Sequence, residues 1–201
     1  MKKVSFALIV LWLFFSPIHA QIISPDEFLG FPLGADRKLA DYHQIVDYLK
    51  ILDNASEKLQ IINLGKTTDG NELIIAVISS ELNMQQLEKY KKISYFLAHP
   101  DQLTPEKAEK AIHDGKVIAF ITCNIHSTEI GSSQMSMQFI YELITRTDEQ
   151  IGFYLNNVIL ILMPSANPDG QIMVCDWYRK WLGTEYEGGR MPWLYHRYVG
   201  H

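Results

Sequence analysis

The chain has 201 residues, 47% hydrophobic and 20% charged, an ordinary globular balance that excludes a disordered, collagenous or low-complexity protein. Twelve glycines and eight prolines scattered without period leave no room for a fibrous or solenoid repeat, so a single core is expected. Eighteen basic residues against 23 acidic ones give a net charge of −5, and with no block of like charge the chain offers no basic field to a nucleic-acid backbone.

Lys2 and Lys3 precede an almost unbroken apolar run from Val4 to Phe15, and Pro17-Ile18-His19-Ala20 supplies a break followed by a small residue. The pattern predicts a secretory signal peptide over residues 1–20, with the mature chain, residues 21–201, starting at Gln21. The run is shorter than the roughly 18–20 apolar residues a membrane span needs. Cleavage is therefore expected rather than an uncleaved anchor, with no membrane association afterwards and a secreted or periplasmic destination. Removing Lys2 and Lys3 with no acid moves the net charge from −5 to −7. In an exported compartment a disulfide between Cys123 and Cys175 is open, although Cys123, after an apolar run, reads as a small buried hydrophobe.

In the mature chain, Tyr42, Ile45, Val46, Leu49 and Leu52 fall at helical spacing and predict a helix over 39–52, with Asp41 near its start. Residues 59–65 and 73–79 predict two strands joined by Asp69-Gly70-Asn71, a hairpin signal. Helices are expected over 84–97 and 105–113, the second opened by Thr104 and Pro105 and closed by Gly115. Val117-Ile-Ala-Phe-Ile-Thr122 and Val158 to Met163 are continuous apolar runs, the pattern of central strands covered on both faces, with a helix over 130–145 between them. Strands alternating with helices predict an α/β fold of three layers, a mixed, largely parallel sheet flanked by helices.

Ligands in such sheets bind outside the carboxyl ends of the strands. That rule selects two polar loops, Cys123 to Glu129 and Pro164 to Gly170. In the first, His126 and Glu129 stand three apart, so that a helix starting near Ser127 or Thr128 would turn an imidazole and a carboxylate to one side. Zinc in hydrolytic sites commonly takes two His and one Glu with a position open to water, and this pair offers two of those donors. His-x-x-Glu spacing arises easily by chance; its position at a strand end singles it out. Beyond residue 170 the chain is rich in aromatics and glycine and stops at Gly200-His201, which reads as the front part of a longer protein.

Asn124-Ile-His-Ser-Thr-Glu-Ile-Gly131, then Asn167-Pro-Asp-Gly170 and Trp177-Tyr-Arg-Lys180, resemble the M14 zinc carboxypeptidases, the carboxypeptidase A-like family, from about Leu39 onward. The segment Gly188-Gly-Arg-Met-Pro-Trp-Leu-Tyr-His196 is similar to a large bacterial exported branch of it. The resemblance implies one zinc ion, with His126 and Glu129 as its first two ligands, and Arg179 as the arginine that polarises the scissile carbonyl of a peptide or protein substrate. A guanidinium suits that role because it stays charged and forks two donors toward developing negative charge. The Asn-Pro-Asp-Gly segment is expected as a tight structural turn, in which Asp169 either carries structure or orients a ligand's second ring nitrogen.

The family also needs a second zinc-binding His, an Asn-Arg pair that grips the substrate's terminal carboxylate, and a Glu that takes a proton from the attacking water. The resemblance places all of these after His201, beyond His196 as well, so the 201-residue chain by itself is expected to be inactive. An amidohydrolase, deacylase or cell-wall peptide hydrolase on the same fold, and a non-catalytic binding domain, are the alternatives. His43, His99 and His113 read as solvent-facing. Arg190 and Arg197 read as substrate-side cations or as partners of Asp176, Glu185 and Glu187, and the aromatic cluster from Trp177 to Tyr198 as a specificity pocket or as packing.

Overall fold

The computed structural model describes residues 22–191. The predicted signal peptide, and the tail with His196, Arg197, Tyr198 and His201, lie outside the described residues.

Helix α1 (Pro25–Leu29) opens with Pro25 in its first turn and the Ser24 hydroxyl accepting from Glu27 N, and it ends at Gly30 with φ +73°. Helix α2 (Tyr42–Ala55) begins at a reciprocal cap: the Asp41 carboxylate accepts from Gln44 N, and the Gln44 side chain accepts from Asp41 N. The apolar spacing read from the sequence is the buried stripe of this helix, Tyr42, Ile45, Val46, Tyr48, Leu49 and Leu52. Strands β1 (Leu59–Lys66) and β2 (Glu72–Ile78) pair antiparallel around a loop of residues 67–71. Gly70 sits in that loop at φ +83°, a conformation glycine adopts without a Cβ penalty.

Helix α3 (Glu81–Met84) and helix α4 (Leu87–Ala98) divide the helix expected over 84–97, and a short 3-10 turn (Pro100–Gln102) leads to α5 (Pro105–Asp114). The Thr104 cap of α5 accepts from Lys107 N as its sequence announces. Strand β3 (Val117–Thr122), helix α6 (Ile130–Thr145), helix α7 (Glu149–Asn157), strand β4 (Val158–Met163) and helix α8 (Pro168–Trp181) complete the order. Helices α7 and α8 add to the elements expected from apolar pattern; α7 is capped by Asp148, whose carboxylate accepts from Ile151 N.

The strands form a mixed sheet in the order β1-β2-β4-β3. Only β3 and β4 run parallel; β1–β2 and β2–β4 are antiparallel, so the described sheet is less parallel than expected. The reason is the β1–β2 hairpin, whose short turn reverses the chain where a crossover helix would have kept it parallel. On one face Ile74, Ala76, Ile78, Leu160 and Leu162 pack with α2 and α6, whose Leu49, Leu52, Met137 and Ile140 are fully buried. On the other, Val77 and Ile159 pack with Tyr90 of α4. These are the three layers.

Strand β3 departs from expectation. Its apolar run predicts a central strand, yet among the described residues it lies at the sheet edge with β4 as its neighbour, and Val117 and Phe120 are 64% and 60% exposed. A continuous apolar run reports that both faces of a strand call for cover, not which stretch of chain supplies it.

Cys123 and Cys175 are both buried free thiols, so the disulfide left open by the sequence does not form. Burial raises the Cys123 thiol and pushes the Cys175 thiol up to about 12, and a thiol that does not ionise is a poor nucleophile. Folded protein is therefore expected to leave both thiols unmodified by a disulfide-exchange reagent at neutral pH, and protein unfolded in denaturant to titrate both, as read by thiol colorimetry.

Candidate functional site

Because β3 and β4 run parallel, their carboxyl ends finish side by side and the two polar loops meet. The main chain joins them directly: Cys123 N donates to Met163 O at 2.9 Å and Ala166 N to Cys123 O at 2.8 Å. Asn124 then turns the chain with φ +52°, a left-handed conformation that Asn tolerates better than most residues.

His126 and Glu129 follow in a turn closed by Glu129 N donating to His126 O at 2.9 Å. Helix α6 starts only at Ile130, so the pair converges through this turn and not through helical phase, as the sequence spacing had implied. His126 Nδ1 lies 2.9 Å from Glu129 Oε1, and the two side chains are 56% and 52% exposed. The bond from the His126 ring is the first cause holding the Glu129 carboxyl below its usual value, with the His126 N–H adding to it. Glu129 is the N-cap of α6, yet its side chain makes no capping bond to the helix. Two donors about 2.1 Å from zinc on corners of a tetrahedron stand about 3.4 Å apart. The pair therefore admits such an ion by opening a few tenths of an ångström. Among the described residues no group of three His, Cys, Asp or Glu side chains converges as a complete metal site.

The second loop corrects the sequence reading. Asn-Pro-Asp-Gly is not a tight turn but the opening of α8: Asn167 is the N-cap, its Oδ1 accepts from Gly170 N at 3.0 Å, and Pro168 takes the first helical position. A capping Asn, a Pro that supplies no N–H and an acid in the first turn form a helix-start signal. Among the described residues Asp169 faces no imidazole. It accepts from Thr67 Oγ1 at 2.6 Å, Asn71 Nδ2 at 2.8 Å and Asp69 N at 3.1 Å, tying the β1–β2 loop to α8.

Sequence reasoning missed the polar floor between the loops, where Asn124, Ser127, Ser133, Ser165, Asn167 and Gln171 are all buried. The available signal was Gly170. A Cβ there would stand 2.2 Å from Ser127 Oγ, so glycine permits α8 to touch the loop that carries His126.

Arg179, on the last turn of α8, faces residues 39–44. Its Nη1 donates to Asp41 Oδ2 at 2.7 Å, and its Nη2 to Leu39 O at 2.9 Å and Gln44 Oε1 at 3.2 Å. Burial alone would raise the Asp41 carboxyl, but the Gln44 N–H and Arg179 outweigh it and hold the group below its usual value. Met173, Trp177 and Trp181 of the same helix, with Tyr186 and Arg190 beyond its end, line an open cleft of about 790 Å3. Glu187, one of the acids weighed as an arginine partner, pairs with Arg37. His43 and His113 are exposed and His99 half-buried.

The family model described as Peptidase M14, zinc carboxypeptidase, matches residues 45–189. Similar solved structures include a carboxypeptidase A from Helicoverpa armigera, 19% identical with a TM-score of 0.47, covering 69% of this chain and 27% of that one. Thrombin-activatable fibrinolysis inhibitor is 13% identical with a TM-score of 0.50, covering 75% of this chain and 29% of that one, and it shares the fold. The bovine form of that inhibitor, in complex with tick carboxypeptidase inhibitor, is 14% identical with a TM-score of 0.40, covering 67% and 33%. The chain thus spans about a third or less of the length of these structures. No curated protein matches the sequence.

A depressed Asp41 contributes stability above its unfolded-state pKa of about 3.9 and loses it as pH falls through the lower folded value. The thermal midpoint of the protein is expected to exceed that of Asp41→Asn at neutral pH, with the gap closing as acid titrates Asp41, as read by circular dichroism melts across pH.

Proposed function

Because the chain belongs to the zinc carboxypeptidase family, we propose that the protein is an exported metallopeptidase that releases residues from the carboxyl end of peptides. The observation that carries the reading is the approach of His126 Nδ1 to Glu129 Oε1 at 2.9 Å, in a solvent-open turn at the carboxyl end of β3. His126 and Glu129 would hold zinc, with a further ligand from outside residues 22–191. Bound there, zinc supplies a Lewis acid that polarises a carbonyl and lowers the pKa of the attacking water. Export is supported by the charged and apolar pattern of residues 1–20.

What the protein side chains do follows from their chemistry. Glu129 is ionised and His126 offers Nδ1 on the same side, so the turn presents a negative oxygen and a ring nitrogen together. Arg179 is the resemblance-derived donor to the oxygen that gains charge at the scissile carbonyl. Three of its five N–H groups are used in the bonds to Asp41, Leu39 and Gln44. The remaining two, on Nε and Nη1, are the ones this role would use.

The test is residue release from peptides with free or amidated carboxyl ends, followed by mass spectrometry on the intact protein with and without a zinc chelator. Release confined to free ends and abolished by the chelator is expected, together with loss of bound zinc in His126→Ala. Absence of release from every peptide, with zinc content unchanged in His126→Ala, overturns the proposal. Arg179→Ala separates two roles. A donor to the developing oxyanion gives a fall in kcat of about 10²–10³ with KM nearly unchanged, whereas a purely structural clamp lowers the unfolding midpoint and leaves kcat per folded molecule intact. The residue-1–201 chain alone is expected to show no turnover in the same assay.

A further inference from the structure

We propose that two buried asparagine amides, Asn124 and Asn167, are positioning residues that hold the main chain around His126 and Glu129 so that the pair stays close enough to take a metal. The inference rests on the metal-site reading above. Both candidate ligand side chains are about half exposed. Their relative placement depends on the 2.9 Å contact between them and on the backbone beneath, and that backbone is held from inside.

Asn167 brackets His126. Its Nδ2 lies 3.1 Å from Ser127 Oγ and 3.4 Å from Ile125 O, the residues on either side, while its Oδ1 accepts from Gly170 N. One amide therefore joins the start of α8 to both flanks of His126. The approach depends on the bare Cα of Gly170, since a Cβ there would also stand 2.7 Å from Asn167 Nδ2.

Asn124 bridges the two ligands. On one side its amide faces His126 O at 3.1 Å and Glu129 O at 3.2 Å, and on the other Ser165 Oγ at 3.1 Å and the Gln171 amide at 3.2 Å. Carbonyl oxygens only accept, so the amide nitrogen faces His126 and Glu129. Turning Gln171 in the same sense would bring its nitrogen onto Asn124 Oδ1 and Ser133 Oγ and put its oxygen in the buried place where the nitrogen has no partner. Ser132 closes the turn from the outside, its hydroxyl donating to Glu129 O at 2.8 Å and accepting from Asn124 N at 3.0 Å. Asn124 and Asn167 are 2% and 3% exposed, so water does not compete for these bonds and each is stronger than at the surface. Such supporting contacts set how closely a pair of ligands matches a metal before it arrives.

Two substitutions separate positioning from folding. Asn167→Asp keeps the oxygen that caps α8 through Gly170 N but replaces the donor facing Ile125 O. Asn124→Gly keeps the left-handed backbone and removes the amide. On the intact protein, zinc affinity is measured by competition with a chromogenic chelator. Thermal unfolding and amide hydrogen exchange are measured without metal. Each variant is expected to lose about 10- to 100-fold in zinc affinity and to exchange faster across residues 125–129. In Asn167→Asp the first amides of α8 keep their protection and the unfolding midpoint stays near that of the parent. Unchanged affinity and exchange in both variants overturns the proposal, as does equal deprotection of the loop and α8. If the parent takes up no zinc, or His126→Ala retains it, the metal-site reading falls, and exchange across residues 125–129 alone decides the positioning role.

Discussion

The parallel pairing of β3 with β4 is the constraint from which the rest of the site follows. With Thr122 level with Met163 in the register, the chain leaves both strands at the same end of the sheet. The bonds from Cys123 N to Met163 O and from Ala166 N to Cys123 O then carry the pairing one step past the strands. An antiparallel partner would have sent the second loop to the opposite end of the sheet. The hairpin of β1 and β2 is compatible with this because it sits on the far side of β4 and contributes its loop, not its strands, to the same end of the fold.

Polar burial is concentrated where the loops meet. Asn124, Ser127, Ser133, Ser165, Asn167, Asp169 and Gln171 are buried there, while the sheet faces are packed by Ile, Leu, Val and Tyr. A buried polar group without a partner costs about 1–3 kcal/mol, so the cluster depends on the bonds its members make to one another, with one end of the Gln171 amide left over. That mutual dependence makes the floor rigid: moving one member strands several others. Rigidity is useful beneath two solvent-open side chains, because freedom left in the backbone would be transmitted undamped to His126 and Glu129.

Much of this was legible in the sequence. The stripe of α2, the hairpin, the apolar strands and the Thr104-Pro105 helix start are set by short-range rules of periodicity and capping, and the structure follows them. The strand-end rule also led to two loops that the fold brings together. What escaped notice depended on chemistry between distant residues. His126 and Glu129 meet through a turn that ends before α6, a geometry fixed by Asn124 and by bonds across to residues 165–171. Asn-Pro-Asp-Gly contains strong turn formers, and only the helix that follows shows that the same residues are a cap. The exposure of β3 could not be read from its composition, since an apolar run is identical whether its cover lies near in the chain or elsewhere.

Helix α8 links the consequences. At its first turn Asn167 and Gly170 meet the loop of His126, and Asp169 binds the β1–β2 loop. Midway, Cys175 lies against Ala40 O, and at the last turn Arg179 clamps Leu39, Asp41 and Gln44. Ala40 N in turn donates to Gln134 Oε1 of α6, the helix that begins at the candidate ligands. The contacts close a ring: from the His126 turn through α8 to the start of α2, and back through α6 to Glu129. In such a ring the position of the candidate metal ligands is not a property of one loop. It is fixed by how α6 and α8 are held against each other, which is why the polar residues that join them are buried and the pair they support can stand open to solvent.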